Sequence, residues 1–595
     1  MAKTFLSRSS RPCAVLVAAI LLNLSHADAG NTFTALTPNL ADVRSAINVA
    51  VDGDTVIVPA GTASWTSTLA ITKAITLIGQ TTITDTATNT FSDQSIILDN
   101  VPRQPGTLLS VNVASGKTVR VSGLTFKAGT VTTTANNGSI SLGGTSTAIR
   151  FDHCHLVNLY SNYNIWWLTA RGVVDHCIID THSQPMSVWA DGYGGGTLGD
   201  KSWAESAHWG SDKFVFFEDN RVNNTSSTWT AIDCLRGGRM VIRHNHLYNT
   251  VVSTHGTETL RDRGSRAVEF YKNDCHVSVG MDAGGTRSGG LMAHDNTYDG
   301  KTLGHGFSIQ TFRTFAGVGP WNGAHGANPW DVNDTEGNGT CVAGHPPHVY
   351  GTGKVTASSI SGATQTIIAT TNVNWTANQL AHYGLKNLTN SAGGASALIT
   401  SNTATSGGST TFTCYYYTDS GGGTKFRVGD NFEIHRVLTA QDQQGRGAGD
   451  LLTGTTPINS TTGTAAWPHQ QLEPSYSWSN FSNGVQQNFG GNTLPAIANR
   501  DFYNQAAAVG GVQTTGVGVG TLANRPATGV AGKDITGVTA NPPGTGYWAT
   551  DTQTLYVWIG GAWVAYYTPY TYPHPLVTNS TVTAIQPPTN LTITP

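Results

Sequence analysis

One six-residue pattern recurs along the first half of the chain and constrains the fold more than any other feature. It reads Phe151-Asp152-His153-Cys154-His155-Leu156, Val174-Asp175-His176-Cys177-Ile178-Ile179 and Ile242-Arg243-His244-Asn245-His246-Leu247, and it recurs around Leu124, Asn220, Asn273 and Asn296. Taking the fourth residue of each copy as a marker, successive copies lie 30, 23, 43, 25, 28 and 23 residues apart. A period in the twenties is that of a β-solenoid, in which each coil contributes short strands and stacks on its neighbour. The aligned Asn220, Asn245, Asn273 and Asn296 are expected to stack as an amide ladder at a turn. Cys154 and Cys177 share that position in adjacent coils. Strand spacing of about 4.8 Å tolerates a disulfide there, but stacked buried thiols are the preferred expectation.

Ahead of the repeat lie an amphipathic stretch, Asp42 to Ala50, then Gly53-Asp54-Thr55-Val56-Ile57-Val58-Pro59-Ala60-Gly61-Thr62 and Ile75-Thr76-Leu77-Ile78-Gly79. An open solenoid end leaves unpaired backbone and apolar core, which an amphipathic helix can cover. This order of segments resembles the amino-terminal cap and first coils of the pectate-lyase-like superfamily. The resemblance implies an all-β, right-handed parallel β-helix with an N-terminal helical cap. It also implies a long polysaccharide as partner.

Lys3, Arg8 and Arg11, the apolar run Cys13 to Leu24, and Ala27-Asp28-Ala29 read as a signal peptide over 1–29. The mature chain is therefore expected to be secreted or held in the cell envelope. The β-helix is expected over 30–350 and again over 439–520. Thr-, Ser- and Gly-rich residues 351–438 and residues 521–565 read as two small β insertions, and 566–595 as a C-terminal segment and linker. No later segment offers the roughly 18 apolar residues of a membrane span. A net charge of -3 argues against nucleic acid, because phosphate binding needs a basic footprint. Only 12% of residues are charged and 69 are glycine, which suits turns and strands.

The 43-residue gap marks an excursion near 180–212, and long loops on a rigid scaffold are where binding residues sit. Trp189, Trp203, Trp209, Glu205 and His208 from this excursion, with Arg239, are the candidate substrate-binding residues. Their aromatic rings suit the flat apolar faces of sugars. The densest ionisable run follows, from Asp233 to Arg266. A uronic-acid polymer can be cut by β-elimination, which requires a cation on the carboxylate, a base for the C5 proton and an acid for the departing oxygen. His255, Arg263, Arg266 and Arg236 are the candidates for these roles. The superfamily resemblance further implies Ca²⁺, for which Asp233, Glu258 and Asp262 are the candidate ligands. Two other readings stay open: an inverting glycoside hydrolase using two carboxylates, and a non-catalytic glycan-binding or adhesin-like solenoid.

Overall fold

The computed structural model describes residues 30–103, 106–135, 138–189, 206–255, 264–278, 284–300, 306–309, 349–362, 364–381, 384–389, 396–416, 425–435, 444–447, 471–490, 498–533 and 541–578. The signal-peptide region and Cys341 lie outside them. The described chain forms a parallel β-helix whose three long sheets contain 12, 11 and 10 strands. One coil contributes a strand to each in turn, as in Thr118–Ser122, Thr125–Ala128 and Ile140–Gly144, before Ala148–Asp152 begins the next. Alternation within each strand sends Phe151, Val174, Phe217, Ile242 and Phe270 into one continuous apolar core.

The corner between the 12- and 11-stranded sheets is built identically in coil after coil. Gly123, His153, His176, Asp219, His244, Lys272, Asp295 and Ser479 all occupy it with φ between 48° and 66°. The residue after each points inward. Asn220, Asn245, Asn273 and Asn296 form the expected ladder, each side-chain oxygen accepting the backbone N–H of the preceding rung. Asn220 closes one end on Cys177 N, and Asn480 extends the other. The side-chain nitrogens donate to buried carbonyls such as Val174 O and Phe217 O. Cys154, Cys177, Cys234, Cys275 and Cys414 are buried free thiols.

Leu40–Val49 is helical and buries Leu40, Val43, Ala46 and Ile47 against the first coil. Lys73 Nζ donates to the carbonyls of Ile47, Asn48 and Ala50 at the helix end, where cationic donors are favoured. No helix among the described residues is long and apolar enough to cross a membrane. Between the coils that carry Asn296 and Asn480, strands from Val349–Ser361 to Asn431–His435 close into a six-stranded barrel around Ile367, Ile399, Phe412 and Phe432. Ser475–Trp478 then rejoins the 12-stranded sheet beside Gly290–His294. A four-stranded sheet from Val517 to Tyr567 packs Trp548, Leu555 and Val557 against Met292, Tyr476 and Trp478 on the outside of the solenoid.

The outward side of the 12-stranded sheet carries a row of buried charges. Arg120 holds Asp152, Arg150 holds Asp175, and Arg243 holds Glu218, at 2.6–2.7 Å. The C-terminal segment roofs this row, walking back along the solenoid coil by coil. Tyr567 OH donates to Glu269, Arg243 donates to Tyr570 O and Thr571 O, His574 N–H donates to Glu218, and Arg150 reaches Leu576 O and Val577 O. Burial pushes Glu269 up to about 7 from 4.5, against the pull of Gly210 N–H and Tyr567 O–H.

Two outcomes are expected. Asn273→Ala strips the acceptor from Asn245 and is expected to destabilise the chain by about 3 kcal/mol in denaturant unfolding, the cost of unsatisfied buried polar groups. Because the folded-state pKa of Glu269 is raised, the folded chain binds the proton more tightly than the unfolded chain. That contribution is complete below pH 4.5 and is lost as pH rises through 7. Hydrogen-exchange protection in 567–577, taken relative to the intrinsic rate at each pH, is therefore expected to fall from pH 5 to pH 8, and Glu269→Gln to flatten that fall.

Candidate functional site

The 10-stranded sheet has an outward row of small or polar side chains interrupted by two larger ones. In register it runs Ser110, Ser141, Trp166, Ser187, Asp233, Ser253, Gly285 and Ser308. Trp166 stands half-buried in this row, whereas Ser187 and Asp233 are buried, with Asp233 only 1% exposed. Trp189, which ends its strand, folds back along it: Nε1 donates to Ser187 Oγ at 2.8 Å, and the ring meets Trp166 edge-on at 4.9 Å. After Leu235 the chain turns sharply through Arg236 and Gly237 at φ 53° and 73°. That turn lays the Arg236 guanidinium over the Trp189 ring at 4.1 Å.

One coil on, His255 follows the strand Thr250–Thr254 and its Nε2 lies 3.2 Å from Asp233 Oδ2. Asp233 Oδ1 accepts the Cys234 N–H. The 3.2 Å approach is an ion-pair contact between the half-buried imidazole and a buried carboxylate. The His255 carbonyl accepts from Ser265 N and Ser288 Oγ, which fixes the ring's backbone. The structure thus brings together Trp189, Asp233 with Arg236, and His255 from three successive coil segments.

Other candidates lie elsewhere. Arg266 is fully buried and bidentate on Glu473, which joins its coil to the strand returning after the barrel. A charge so enclosed is unavailable to a polymer, so Arg266 is a structural ion pair rather than a base or clamp. Arg239 donates to Ser206 O and Ala207 O, and Trp209 packs between Phe214 and Tyr567. Arg239 is in the 12-stranded sheet and Trp209, with the half-buried His208 beside it in the chain, packs over that sheet, because the excursion that leaves at Trp189 must return to begin Val215–Glu218 there. Trp203, Glu205, Glu258, Asp262 and Arg263 fall outside the described residues.

Two residues of the face were not anticipated. Arg287, half-buried, donates through Nε to Thr254 O beside His255. Counting back from the paired Ala267 and Gly290 sets Arg287 at the coil position of Gly264, next to Arg263, a placement that the coil spacing implied. Trp229, 56% exposed, lines a shallow pocket of about 320 Å³ with Tyr160, His182 and Gln184 where the sheet begins. Of the three proposed Ca²⁺ ligands, Asp233 alone is described, and its carboxylate faces His255 and Cys234 N–H. Among the described residues this does not supply the six to eight oxygens typical of Ca²⁺.

These assignments separate in stability. Arg266→Ala empties a fully buried side-chain site and leaves the partly buried Glu473 without its arginine, expected to cost about 3 kcal/mol. Arg236→Ala removes a half-buried stacking contact, expected to cost about 1 kcal/mol or less, and the two midpoints in urea distinguish them. Comparison with models of known families and with curated proteins finds no match for this chain.

Proposed function

We propose that this chain binds a uronic-acid polysaccharide across the outer face of the 10-stranded sheet and cleaves it by β-elimination. The observation that carries the reading is the Asp233–His255 pair beside Arg236 stacked on Trp189. Trp166, Trp189 and Trp229 offer rings against which sugar faces stack. Arg236 and Arg287 offer guanidinium groups to a uronate carboxylate, and neutralising it acidifies the neighbouring C5 proton. His255 takes that proton while Asp233 stabilises the imidazolium. The C5–H electron pair becomes the C4–C5 double bond as the C4–O bond breaks. The departing oxygen takes its proton from water or from Ser253, which neighbours Asp233 in register.

A hydrolase needs two carboxylates flanking the bond. Of the carboxylates in the 180–212 excursion and the run after it, Asp233 is in the register row of this face, whereas Asp212 is on the return leg beside Tyr570 and His574, over the 12-stranded sheet. Export through residues 1–29 would bring the protein to such polymers.

The test is the ultraviolet absorbance of unsaturated uronate ends during incubation with pectate, alginate or glucuronan. A rise is expected with at least one polymer, and His255→Ala and Arg236→Ala are each expected to reduce the rate by about a hundredfold or more. Retention of the polymer with neither unsaturated nor new reducing ends would replace this reading with a glycan-binding solenoid.

A further inference from the structure

At the corner between the 12- and 11-stranded sheets, remote from the face described above, His153 and His176 stand in adjacent coils with their rings parallel and their centroids 5.0 Å apart. Each ring is held from behind. His153 Nδ1 bonds Asp152 at 2.8 Å and His176 Nδ1 bonds Asp175 at 2.9 Å. The two aspartates are buried and clamped by Arg120 and Arg150. Those ion pairs cancel their own charges and fix the carboxylates as acceptors, so each imidazole, when neutral, carries its proton on Nδ1 and a lone pair on Nε2. Among the described residues neither Nε2 makes a hydrogen bond. Both side chains remain about one-third exposed, at 34% and 39%. They line an open pocket of about 580 Å³ with Gln80, Thr81, Arg120 and Val577.

We propose that His153 and His176 form a two-histidine site for a divalent transition-metal ion, of the kind that favours imidazole nitrogen: Zn²⁺, Cu²⁺ or Ni²⁺. A carboxylate accepting the second ring N–H is the usual outer partner of a metal-bound histidine, where it fixes the tautomer and raises the basicity of the ligating nitrogen. Each imidazole is backed by an aspartate already paired with arginine, and an ion must displace any proton on Nε2, the more so at His176, where against burial the hydrogen bond and charge of Asp175 raise the pKa. With bonds of about 2.1 Å to each Nε2 at a tetrahedral angle the two nitrogens lie about 3.4 Å apart, so rings now stacked at 5.0 Å must each move inward by roughly 0.8 Å and turn until their lone pairs converge. Partial exposure and the broad χ2 well of histidine permit this. The pocket supplies room for water to complete the coordination. The ion would join two successive coils beside the end of the C-terminal roof, since Val577 lines the same pocket. Asp152 and Asp175 serve behind the imidazoles, because their oxygens are engaged by arginine and by Nδ1.

The experiment is titration of the chelator-treated full chain with Zn²⁺ and with Cu²⁺, by calorimetry and by electron paramagnetic resonance. His153→Asn and His176→Asn are the test variants, because asparagine accepts the φ of 48° and 52° at these positions. The wild type is expected to bind an ion with two nitrogen couplings on Cu²⁺ and to gain thermal stability from Zn²⁺. Each variant is expected to bind about tenfold more weakly or worse, with at most one coupling from this pair. Excess Ca²⁺ is expected not to compete, and His255→Ala to bind as the wild type does. Unchanged stoichiometry and affinity in both asparagine variants, with folding verified by circular dichroism, would overturn the proposal. That result would leave the polysaccharide reading untouched.

Discussion

The recurring left-handed residue at one corner governs this molecule. Each coil must turn sharply from the 12-stranded to the 11-stranded sheet, and a single residue with positive φ makes that turn while its successor points inward. The inward residue meets a peptide group that no strand pairing satisfies, and an asparagine amide supplies both a donor and an acceptor there. Once the rungs are in line, the strands on either side are held in register. A one-residue slip would turn every core side chain outward and every charge inward. In the earliest coils the inward position holds Leu124, Cys154 and Cys177 instead, and the ladder ends by bonding the Cys177 N–H.

The same register explains the buried charges. Successive strands stack like side chains in columns, so Asp152, Asp175, Glu218 and Arg243 follow one another in a single outward row. Left in water, such pairs contribute little; under a roof, each must be closely matched. The C-terminal segment is that roof, and its backbone carbonyls take the donors that the carboxylates leave over. Glu269, with no arginine bonded to it, is the member whose proton is held up to about 7.

The repeat was legible because it is local: the marker positions lie one coil apart and share one physical role. The cap was legible for the same reason. What escaped the sequence was pairing across long separations. Arg266 sat in a basic run that suggested a site, and its partner Glu473 lies 207 residues away. Trp209 shared a loop with Trp189 yet belongs to a different face, because a loop joining two sheets must leave one and land on the other. Asp233, Arg236 and His255 were legible as neighbours because stacking coils brings residues about twenty apart into contact. Arg287 was hidden only because its coil begins after a shorter excursion.

Roofing also bears on where a long ligand can lie. The 12-stranded sheet is covered by the C-terminal segment and the four-stranded sheet. Over the 11-stranded sheet, the hairpin Thr82–Asp85 and Thr90–Ser92 is tied down by Arg221 bonding Ala87 O and by the contact of Phe91 with His155. The 10-stranded sheet carries serines along most of its outward row, half-buried at Ser110, Ser141 and Ser253 and buried at Ser187. A polymer needs an uninterrupted bed several strands wide, with a few large side chains to grip it. Trp166, Trp189 and His255 are half-buried along that sheet, with Asp233 buried against His255, which is why the proposed polymer is assigned to this face.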